Sequence, residues 1–361
     1  MRPEGTTRPR PEKRFEVEAG SSYRLPVTTT GVRTWQDADW RSAALAWALE
    51  QLDRAGLVSD GEPEQPHVRS WSTAFRLPLR GGDSVWLKSV GSGSAQEPVL
   101  AGALGRWVPE HVLVPLAVEP ARRLLLMPDG GRTLREAGSG DLAAWEAMLV
   151  DHARLQVAVA PHADELVGLG VPDHRPERLP GLVADLLADD DALEVGRPDA
   201  IAPEVRERVV VDLGAYARAC RELADGSVPA SVQHDDLHDA NVFVADGRHR
   251  FFDWGDASVS HPFLVLLVTL RFAARVLDLP DGDPALVRLR DAYLDQWLDF
   301  GTVAELRQLC DLALRVGPLQ RALTWRRILR GVHPEERVEW AGSVPGWTAE
   351  HLAPSPLHAG A

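Results

Sequence analysis

The sequence predicts an α+β protein with two lobes, a small β-rich N-lobe followed by a larger, mostly helical C-lobe. Strand-like patterns dominate up to residue 127, and helical spacing of apolar residues dominates beyond it. The cluster Pro128-Asp129-Gly130-Gly131 separates the two parts and is typical of a loop or hinge. We therefore expect a disordered tail over 1–20, an N-lobe over 21–127 and a C-lobe over 128–361.

In the N-lobe, apolar periodicity predicts two helices and two pairs of strands. Apolar residues recur at helical spacing over 37–56 and 97–107. Alternating patterns separated by turn residues predict strands at 67–79, 85–90, 113–118 and 123–127. This arrangement is an antiparallel sheet accompanied by one main helix, 97–107.

The C-lobe is predicted to be helical apart from one hairpin. Residues 242–252 should form this hairpin, because Asp246-Gly247 lies between two β-like runs and Asp-Gly is a preferred hairpin turn. The chain from Ala341 onwards is rich in Pro, Ser, Gly and Ala and should be largely irregular. Helices are expected at 141–160, 176–193, 203–224, 262–278, 284–300, 302–315 and 317–330.

Composition points to a globular protein of the cytoplasm. Of 361 residues, 45% are hydrophobic and 25% charged, and the longest apolar run is far short of the 18 residues of a membrane span. The two cysteines, Cys220 and Cys310, favour neither a disulfide framework nor a cysteine zinc site. A net charge of −14 disfavours nucleic-acid binding and favours cationic partners, although an acidic surface that maintains solubility is the simpler explanation. We expect no membrane or nucleic-acid partner, and a monomer or weak homodimer.

One stretch carries most of the chemical information. It reads His-Asp-Asp-Leu-His-Asp-Ala-Asn over 234–241 and is followed, after the predicted hairpin, by Asp253-Trp254-Gly255. The hairpin should bring Asp236 and Asn241 close to Asp253. Three oxygen-bearing side chains suit Mg²⁺, which takes few protein ligands and keeps water and phosphate oxygens.

A single lysine stands out in the N-lobe. Among 39 basic residues only Lys13 and Lys88 are lysines, and Lys88 lies within a strand-like run. Lysine presents a compact charge that binds phosphate oxygens, whereas arginine presents a broad fork. Lys88 is therefore a candidate phosphate ligand, and the alternative is an edge-strand lysine whose stem covers apolar surface.

These features together resemble the aminoglycoside phosphotransferase family of protein-kinase-like small-molecule phosphotransferases. Protein kinases carry His-Arg-Asp-Leu-x-x-x-Asn and Asp-Phe-Gly, and the aminoglycoside family typically reads His-Gly-Asp-Leu-His-x-x-Asn. Leu237 and His238 match the latter pattern, whereas Asp235 replaces its glycine. The resemblance spans roughly Arg69 to Phe300. The sequence has no Gly-x-Gly-x-x-Gly loop, and residues 69–73 stand in its place.

The resemblance implies a bilobal protein-kinase-like fold that uses ATP and Mg²⁺ to phosphorylate a small-molecule hydroxyl. Asp236 would be the catalytic base, and Asn241 and Asp253 would bind Mg²⁺. His234 would support the catalytic loop. Nucleotide binding would lie in 21–127, and catalysis and acceptor binding in 128–361.

The resemblance also assigns the nucleotide-binding residues. Lys88 would reach the α- and β-phosphates, and Glu97 would orient Lys88 through an ion pair, although Glu97 could equally be a helix N-terminal acid. Ser72 would contact phosphate in place of the glycine loop. Residues 127–131, including Met127 and Asp129, would form the hinge that hydrogen-bonds the adenine.

Two alternatives and one unassigned partner remain. The chain could be a nucleotide-binding pseudokinase, or a metal-dependent hydrolase in which His234-x-Asp236-x-His238 binds a transition metal. The acceptor cannot be identified from the fold or the motif. Asp235 would indicate a cationic acceptor if its carboxylate faced that acceptor, and would say nothing if it faced solvent.

Overall fold

The computed structural model describes residues 29–245 and 247–358 and has the expected α+β architecture. In the N-lobe, five antiparallel strands form one sheet in the order β1-β2-β3-β5-β4. The N-lobe elements are α1 (Val32–Gln36), α2 (Ala38–Ala55), β1 (Glu64–Arg69), β2 (Ser72–Pro78), β3 (Ser84–Val90), α3 (Glu97–Trp107), β4 (Ala117–Glu119) and β5 (Leu124–Pro128).

The alternation of side chains along β2 and β3 gives the sheet two different faces. Phe75 and Leu77 of β2 and Leu87 of β3 are fully buried and pack against α2. Lys88 follows Leu87 and therefore points to the opposite face, which α3 and the C-lobe approach. The chain thus places one lysine on the face that looks into the cleft between the lobes.

Two strand predictions in the N-lobe were wrong in detail. Residues 67–79 form two strands, because the chain turns at Ser70 and Trp71 between β1 and β2. No glycine or proline marks this turn, and the alternating pattern runs through it unbroken. The strand predicted at 113–118 is reduced to β4 at Ala117–Glu119, and Leu113 packs instead into a small cluster with Leu125.

The C-lobe contains nine helices among its described residues, with two short strand pairs. β7 pairs with β8 in the predicted hairpin, and β6 pairs with β9. Gly247 at the hairpin turn has a φ of +71°, which suits glycine. The elements are α4 (Leu134–Gly138), α5 (Leu142–Val159), α6 (Ala163–Gly168), α7 (Leu179–Leu187), α8 (Pro203–Asp225), β6 (Ser231–Gln233), β7 (Val242–Ala245), β8 (Arg248–Phe251), β9 (Ser258–Ser260), α9 (Val265–Val276), α10 (Pro284–Leu294), α11 (Val303–Arg330) and α12 (Ser343–Glu350).

Several C-lobe predictions need correction. The two helices expected at 302–315 and 317–330 are one continuous helix, α11, with Pro318 inside it. Proline removes one backbone hydrogen bond there, but the surrounding residues are deeply buried, so packing maintains the helix. β6 and β9 were missed because three buried residues show no alternation, and α12 was missed in a segment rich in small residues.

Other parts of the fold bear on the remaining expectations. The predicted helix over 176–193 is confined to α7, and the segment after it ends in short turns. No helix in the described ranges is long and apolar enough to cross a membrane. The tail expected over 1–20 and Asp246 of the expected turn lie outside the described residues.

Candidate active site

The loop 234–241 directly follows β6 and is anchored by the side chain of His234. This ring is fully buried and donates a hydrogen bond from Nε2 to the carbonyl oxygen of Phe252 at 2.9 Å. It also packs against Trp254, with 4.6 Å between ring centroids. His234 therefore connects the loop to the Asp-Trp-Gly segment and occupies the structural position expected for it.

The β7–β8 hairpin brings the two ends of the motif together. β7 and β8 pair Val242 with Phe251, and beyond this pair the N–H of Phe252 donates to the carbonyl of Asn241 at 3.2 Å. Asp253 comes next and has a left-handed backbone with φ of +63°. Asn241 and Asp253 thus lie on neighbouring strand ends, as the hairpin predicted.

Lys88 joins the N-lobe sheet to α3 and to the C-lobe. Its Nζ lies 2.6 Å from Oε1 of Glu97, the first residue of α3, and 2.6 Å from Oδ1 of Asp253. The Glu97 side chain is only 1% exposed, whereas that of Asp253 is 47% exposed. Lys88 therefore contacts both the acid predicted to orient it, Glu97, and Asp253, which was predicted to bind Mg²⁺.

The protonation of this cluster follows from its burial. Burial raises the pKa of Glu97 to about 7, against the opposing effect of the Lys88 charge. Burial alone would lower the pKa of Lys88, but the charges of Asp253 and Glu97 outweigh it and raise that pKa. Lys88 is therefore cationic at neutral pH, with the exposed carboxylate of Asp253 open to the cleft.

Asp236 has both carboxylate oxygens engaged. Oδ2 accepts a hydrogen bond from Nδ2 of Asn241 at 3.2 Å, and Oδ1 accepts one from Nη2 of Arg321 at 3.0 Å. The side chain remains 31% exposed. Burial favours the neutral acid, but the Arg321 guanidinium outweighs it and lowers the pKa of Asp236, so the carboxylate is ionised at neutral pH.

Asp235 faces neither an acceptor nor solvent. Its side chain is almost completely buried, and Oδ2 lies 3.5 Å from Nη1 of Arg321 in α11. Its backbone has a φ of +64°. This left-handed region favours glycine and tolerates aspartate better than most residues, which explains how Asp235 can stand where the resembling family has glycine.

The predicted nucleotide residues Ser72, Met127 and Asp129 lie along β2, β5 and the hinge. Met127 pairs with Trp86 of β3, and Ser72 begins β2. The Asp129 carboxylate accepts hydrogen bonds from Ser84 Oγ at 2.8 Å and from the Gly131 N–H at 2.9 Å. Asp129 thus ties the hinge to the sheet with its side chain.

The sequence did not identify three further residues at the site, two in the C-lobe and one in the N-lobe. Arg321 and Arg327 extend from α11, and Gln96 precedes α3. Gln96 Nε2 donates to the Gly255 carbonyl at 2.8 Å, and Arg327 Nη2 donates to that of Asp256 at 2.9 Å. The available signal for Arg321 was an arginine close to the apolar residues Leu319, Ala322 and Leu323 in a helical pattern.

The oxygen ligands fit Mg²⁺ better than a transition metal. Asn241 uses its amide N–H on Asp236, which leaves the amide oxygen for a cation beside the Asp253 carboxylate. His234 binds a backbone carbonyl, whereas the ring of His238 stacks on Phe272 with 4.2 Å between centroids. Within 29–245 and 247–358 no group of three or more His, Cys, Asp or Glu side chains could hold a metal ion.

Comparison with known proteins identifies one family. The sequence matches the phosphotransferase enzyme family over residues 100–309, which is more than half of the chain. This range contains Asp236, Asn241 and Asp253, whereas Lys88 and Arg321 lie outside it. No curated protein matches the chain by sequence.

Solved structures with the same fold include several kinases of small molecules. Macrolide 2'-phosphotransferase type I is 17% identical, with a TM-score of 0.51 over 87% of this chain and 98% of that one. An aminoglycoside phosphotransferase in a ternary complex with AMP-PNP and hygromycin B is 16% identical, with a TM-score of 0.53 over 86% and 99%. Choline kinase from Cryptosporidium parvum is 11% identical, with a TM-score of 0.52 over 80% and 88%.

At these identities the structural similarity concerns the fold, and it confirms the bilobal protein-kinase-like architecture. The family match covers the loop 234–241 and the Asp-Trp-Gly segment. The chain therefore belongs to the phosphotransferase enzyme family and is a small-molecule phosphotransferase whose acceptor group is a hydroxyl.

Proposed function

We propose that the protein transfers the γ-phosphoryl group of ATP to a hydroxyl of a small molecule, with Mg²⁺ as the metal ion. The contact of Lys88 with both Glu97 and Asp253 carries this proposal, because it brings the sheet, α3 and the Asp-Trp-Gly segment together at one point. An aminoglycoside phosphotransferase of the same fold was solved with AMP-PNP, which supports ATP. Another structure of this fold contains GDP, so GTP is the competing nucleotide to test.

Each residue has a role that suits phosphoryl transfer, which depends on positioning and charge neutralisation. Lys88 would bind nucleotide phosphates, and Asn241 and Asp253 would hold Mg²⁺, which neutralises phosphate charge when bound. The lowered pKa of Asp236 keeps it ionised, so it accepts the hydrogen bond of the acceptor hydroxyl. As a weak base it would orient this hydroxyl first and receive its proton late in the reaction.

The division of labour between the lobes belongs to the same proposal. The N-lobe over 21–127 would bind the nucleotide through Ser72, Met127 and the backbone of Asp129. The C-lobe over 128–361 would supply catalysis and acceptor binding. No acceptor is assigned, because proteins of this fold have names as different as macrolide phosphotransferase and choline kinase.

A screen for ADP release from Mg-ATP identifies the acceptor class. Purified protein would be mixed with amino-sugars, aminoalcohols, sugars and macrolides, and Mg-GTP would be compared with Mg-ATP. We expect turnover with at least one class. Nucleotide binding without ADP release from any class would instead support a pseudokinase.

Asp236→Asn tests the assignment of the catalytic carboxylate. It preserves shape and the contact with Asn241 but cannot accept a proton, so kcat should fall by about 10²- to 10⁴-fold. The Kd for Mg-ATP, measured by calorimetry, should change little because Asp236 would act on the acceptor. Turnover near the wild-type rate would remove Asp236 from the proposed mechanism.

A further inference from the structure

Arg321 is a buried guanidinium at the centre of the site that the proposed function does not use. It is 4% exposed and extends from the middle of α11, more than eighty residues beyond Asp236 in the chain. Its neighbours in the helix, Ala322 and Leu323, are buried apolar residues. Burial of an arginine is costly unless its charge is paired and its donors are satisfied, so its partners indicate why it is there.

Those partners are three carboxylates, which share the two terminal nitrogens of the guanidinium. Nη2 donates to Oδ1 of Asp236 at 3.0 Å. Nη1 lies 2.5 Å from Oδ2 of Asp256 and 3.5 Å from Oδ2 of Asp235. Nη1 is therefore hydrogen-bonded to Asp256 and lies in ion-pair range of Asp235, whereas Nη2 is presented to the proposed catalytic carboxylate.

Asp236 is thereby fixed from two directions. Asn241 holds its Oδ2 and Arg321 its Oδ1, and a carboxylate held at both oxygens cannot rotate freely about its χ2 torsion. A lysine could not replace this arrangement, since a single ammonium lacks the planar fork that reaches two separate acids. The arrangement also explains Asp235, whose buried carboxylate would otherwise have no reason to replace glycine.

We propose that Arg321 is a positioning residue: its guanidinium orients the Asp236 carboxylate toward the acceptor hydroxyl, while the hydrogen bond to Asp256 and the nearby charge of Asp235 hold the guanidinium in place. This inference rests on the proposed role of Asp236 as the group that meets the acceptor. It also means that the charge of Asp235 is neutralised inside the protein and does not select a cationic acceptor.

Two substitutions of Arg321 test the proposal through ADP release from Mg-ATP. The acceptor is the one that turns over in the screen, or water if none does. Arg321→Lys keeps the charge and removes the fork, so kcat should fall by about 10- to 100-fold, as expected for a misplaced catalytic group. The KM for Mg-ATP should change less than about threefold, because Arg321 does not face the nucleotide ligands. Arg321→Met should lose more activity than Arg321→Lys.

Arg326→Lys is the matched control. Arg326 belongs to the same helix and pairs with Asp189, with Nε 2.8 Å from Oδ2, but it has no contact with the motif loop. Its substitution tests the cost of changing an ion-paired arginine in α11. We expect kcat within about twofold of wild type, and an equal loss of kcat in both lysine variants would overturn the proposal.

The double variant Arg321→Met with Asp235→Asn separates positioning from stability. Removal of Asp235's charge relieves the excess of buried acid left by Arg321→Met, so the melting temperature should recover. The kcat should stay low, because Asp236 still lacks its partner. Recovery of kcat together with the melting temperature would reduce Arg321 to a structural role and refute the proposal.

A crystal structure of Arg321→Lys supplies a readout that does not need turnover. We expect the Asp236 carboxylate to leave its present orientation, and an unchanged carboxylate would contradict the proposal.

The proposed function and the positioning role of Arg321 fail in different ways. Nucleotide binding without ADP release from any acceptor class would overturn the proposed function. An active Asp236→Asn variant would remove the catalytic role of Asp236 on which the positioning role rests, whereas an inactive Asp236→Asn beside a fully active Arg321→Lys would overturn only the positioning role.

Discussion

At the scale of single residues, the site is an acidic cluster balanced by a few buried cations. Asp235, Asp236 and Asp256 surround Arg321, and Glu97 and Asp253 surround Lys88. Around both Arg321 and Lys88, more than one acid contacts a single cation. The most buried acid of each group, Glu97 or Asp235, has a raised pKa, because burial disfavours its charged form.

Asp235→Asn should change how stability depends on pH. Burial raises the pKa of Asp235 from 3.8 to about 6, with Asp256 adding to the effect and Arg321 and Arg327 opposing it. The folded state therefore binds more protons than the unfolded state in this range. Stability from this group is full below about pH 4 and is lost as pH rises to about 6.

Because one pKa unit is worth about 1.4 kcal/mol, wild type should lose up to about 3 kcal/mol relative to Asp235→Asn across this window. Urea denaturation of both proteins at pH 4.5 and pH 7 measures the difference. Asparagine tolerates the same left-handed backbone, so the comparison isolates the charge. A stability difference that is the same at both pH values would contradict the assigned pKa.

At the scale of elements, the hinge packs directly against the β7–β8 hairpin. The N–H of Val244 in β7 donates to the carbonyl of Arg132 at 3.0 Å, just beyond the hinge. The ring of Phe243 stacks on Phe252 with 4.2 Å between centroids and covers Gly130. The backbone proposed to bind adenine is therefore packed directly on the strands that carry Asn241 and Asp253.

Gly130→Ala tests this contact. A Cβ at Gly130 would lie 2.2 Å from Cδ2 of Phe243, so the ring or the hinge must move. We expect a loss of about 1–3 kcal/mol in the free energy of unfolding and weaker Mg-ATP binding. Chemical denaturation and calorimetry measure the two effects.

Gly140→Ala is the control for this substitution. No atom lies within 4 Å of a Cβ at that position, and its backbone is not in the left-handed region. Its stability should therefore stay within about 0.5 kcal/mol of wild type. If Gly130→Ala changed the stability as little as Gly140→Ala, Phe243 would not constrain the hinge.

At the scale of the whole molecule, α11 and the segment after it contact the N-lobe. Trp71, in the turn between β1 and β2, packs edge-on against Trp340 and Trp325 of the C-lobe, at centroid distances of 5.0 and 5.8 Å. Arg327 of α11 donates to the carbonyl of Gly93 in the N-lobe. The turn between β1 and β2 is thus held against the C-lobe by aromatic packing.

Trp71→Ala should release this turn. Each aromatic pair contributes about 0.5–1.5 kcal/mol beyond its buried area, so the KM for Mg-ATP should rise about three- to tenfold while kcat changes less. Hydrogen exchange should increase in residues 64–78. Trp347→Ala is the control, because Trp347 contacts Arg271 within the C-lobe and should leave exchange in the N-lobe unchanged. Equal exchange in both variants would show that Trp71 does not restrain the turn.

Local patterns in the chain were sufficient for the reaction class and for most of the elements. α3 was predicted with its observed bounds, and the Asp-Gly hairpin correctly brought Asn241 next to Asp253. These features depend on residues close in sequence, whose spacing, caps and turn preferences are visible locally. The roles assigned to Asp236, Lys88 and the hinge residues remain predictions.

Contacts between distant segments were decided only in three dimensions. Nothing in the sequence links Arg321 to Asp235, since any of the many arginines could have neutralised a buried acid. The continuity of α11 through Pro318 depends on burial from several sides, and the turn at Ser70 and Trp71 depends on aromatic partners more than 250 residues away. Burial and long-range pairing have no local sequence pattern, and they govern how Asp236 is held.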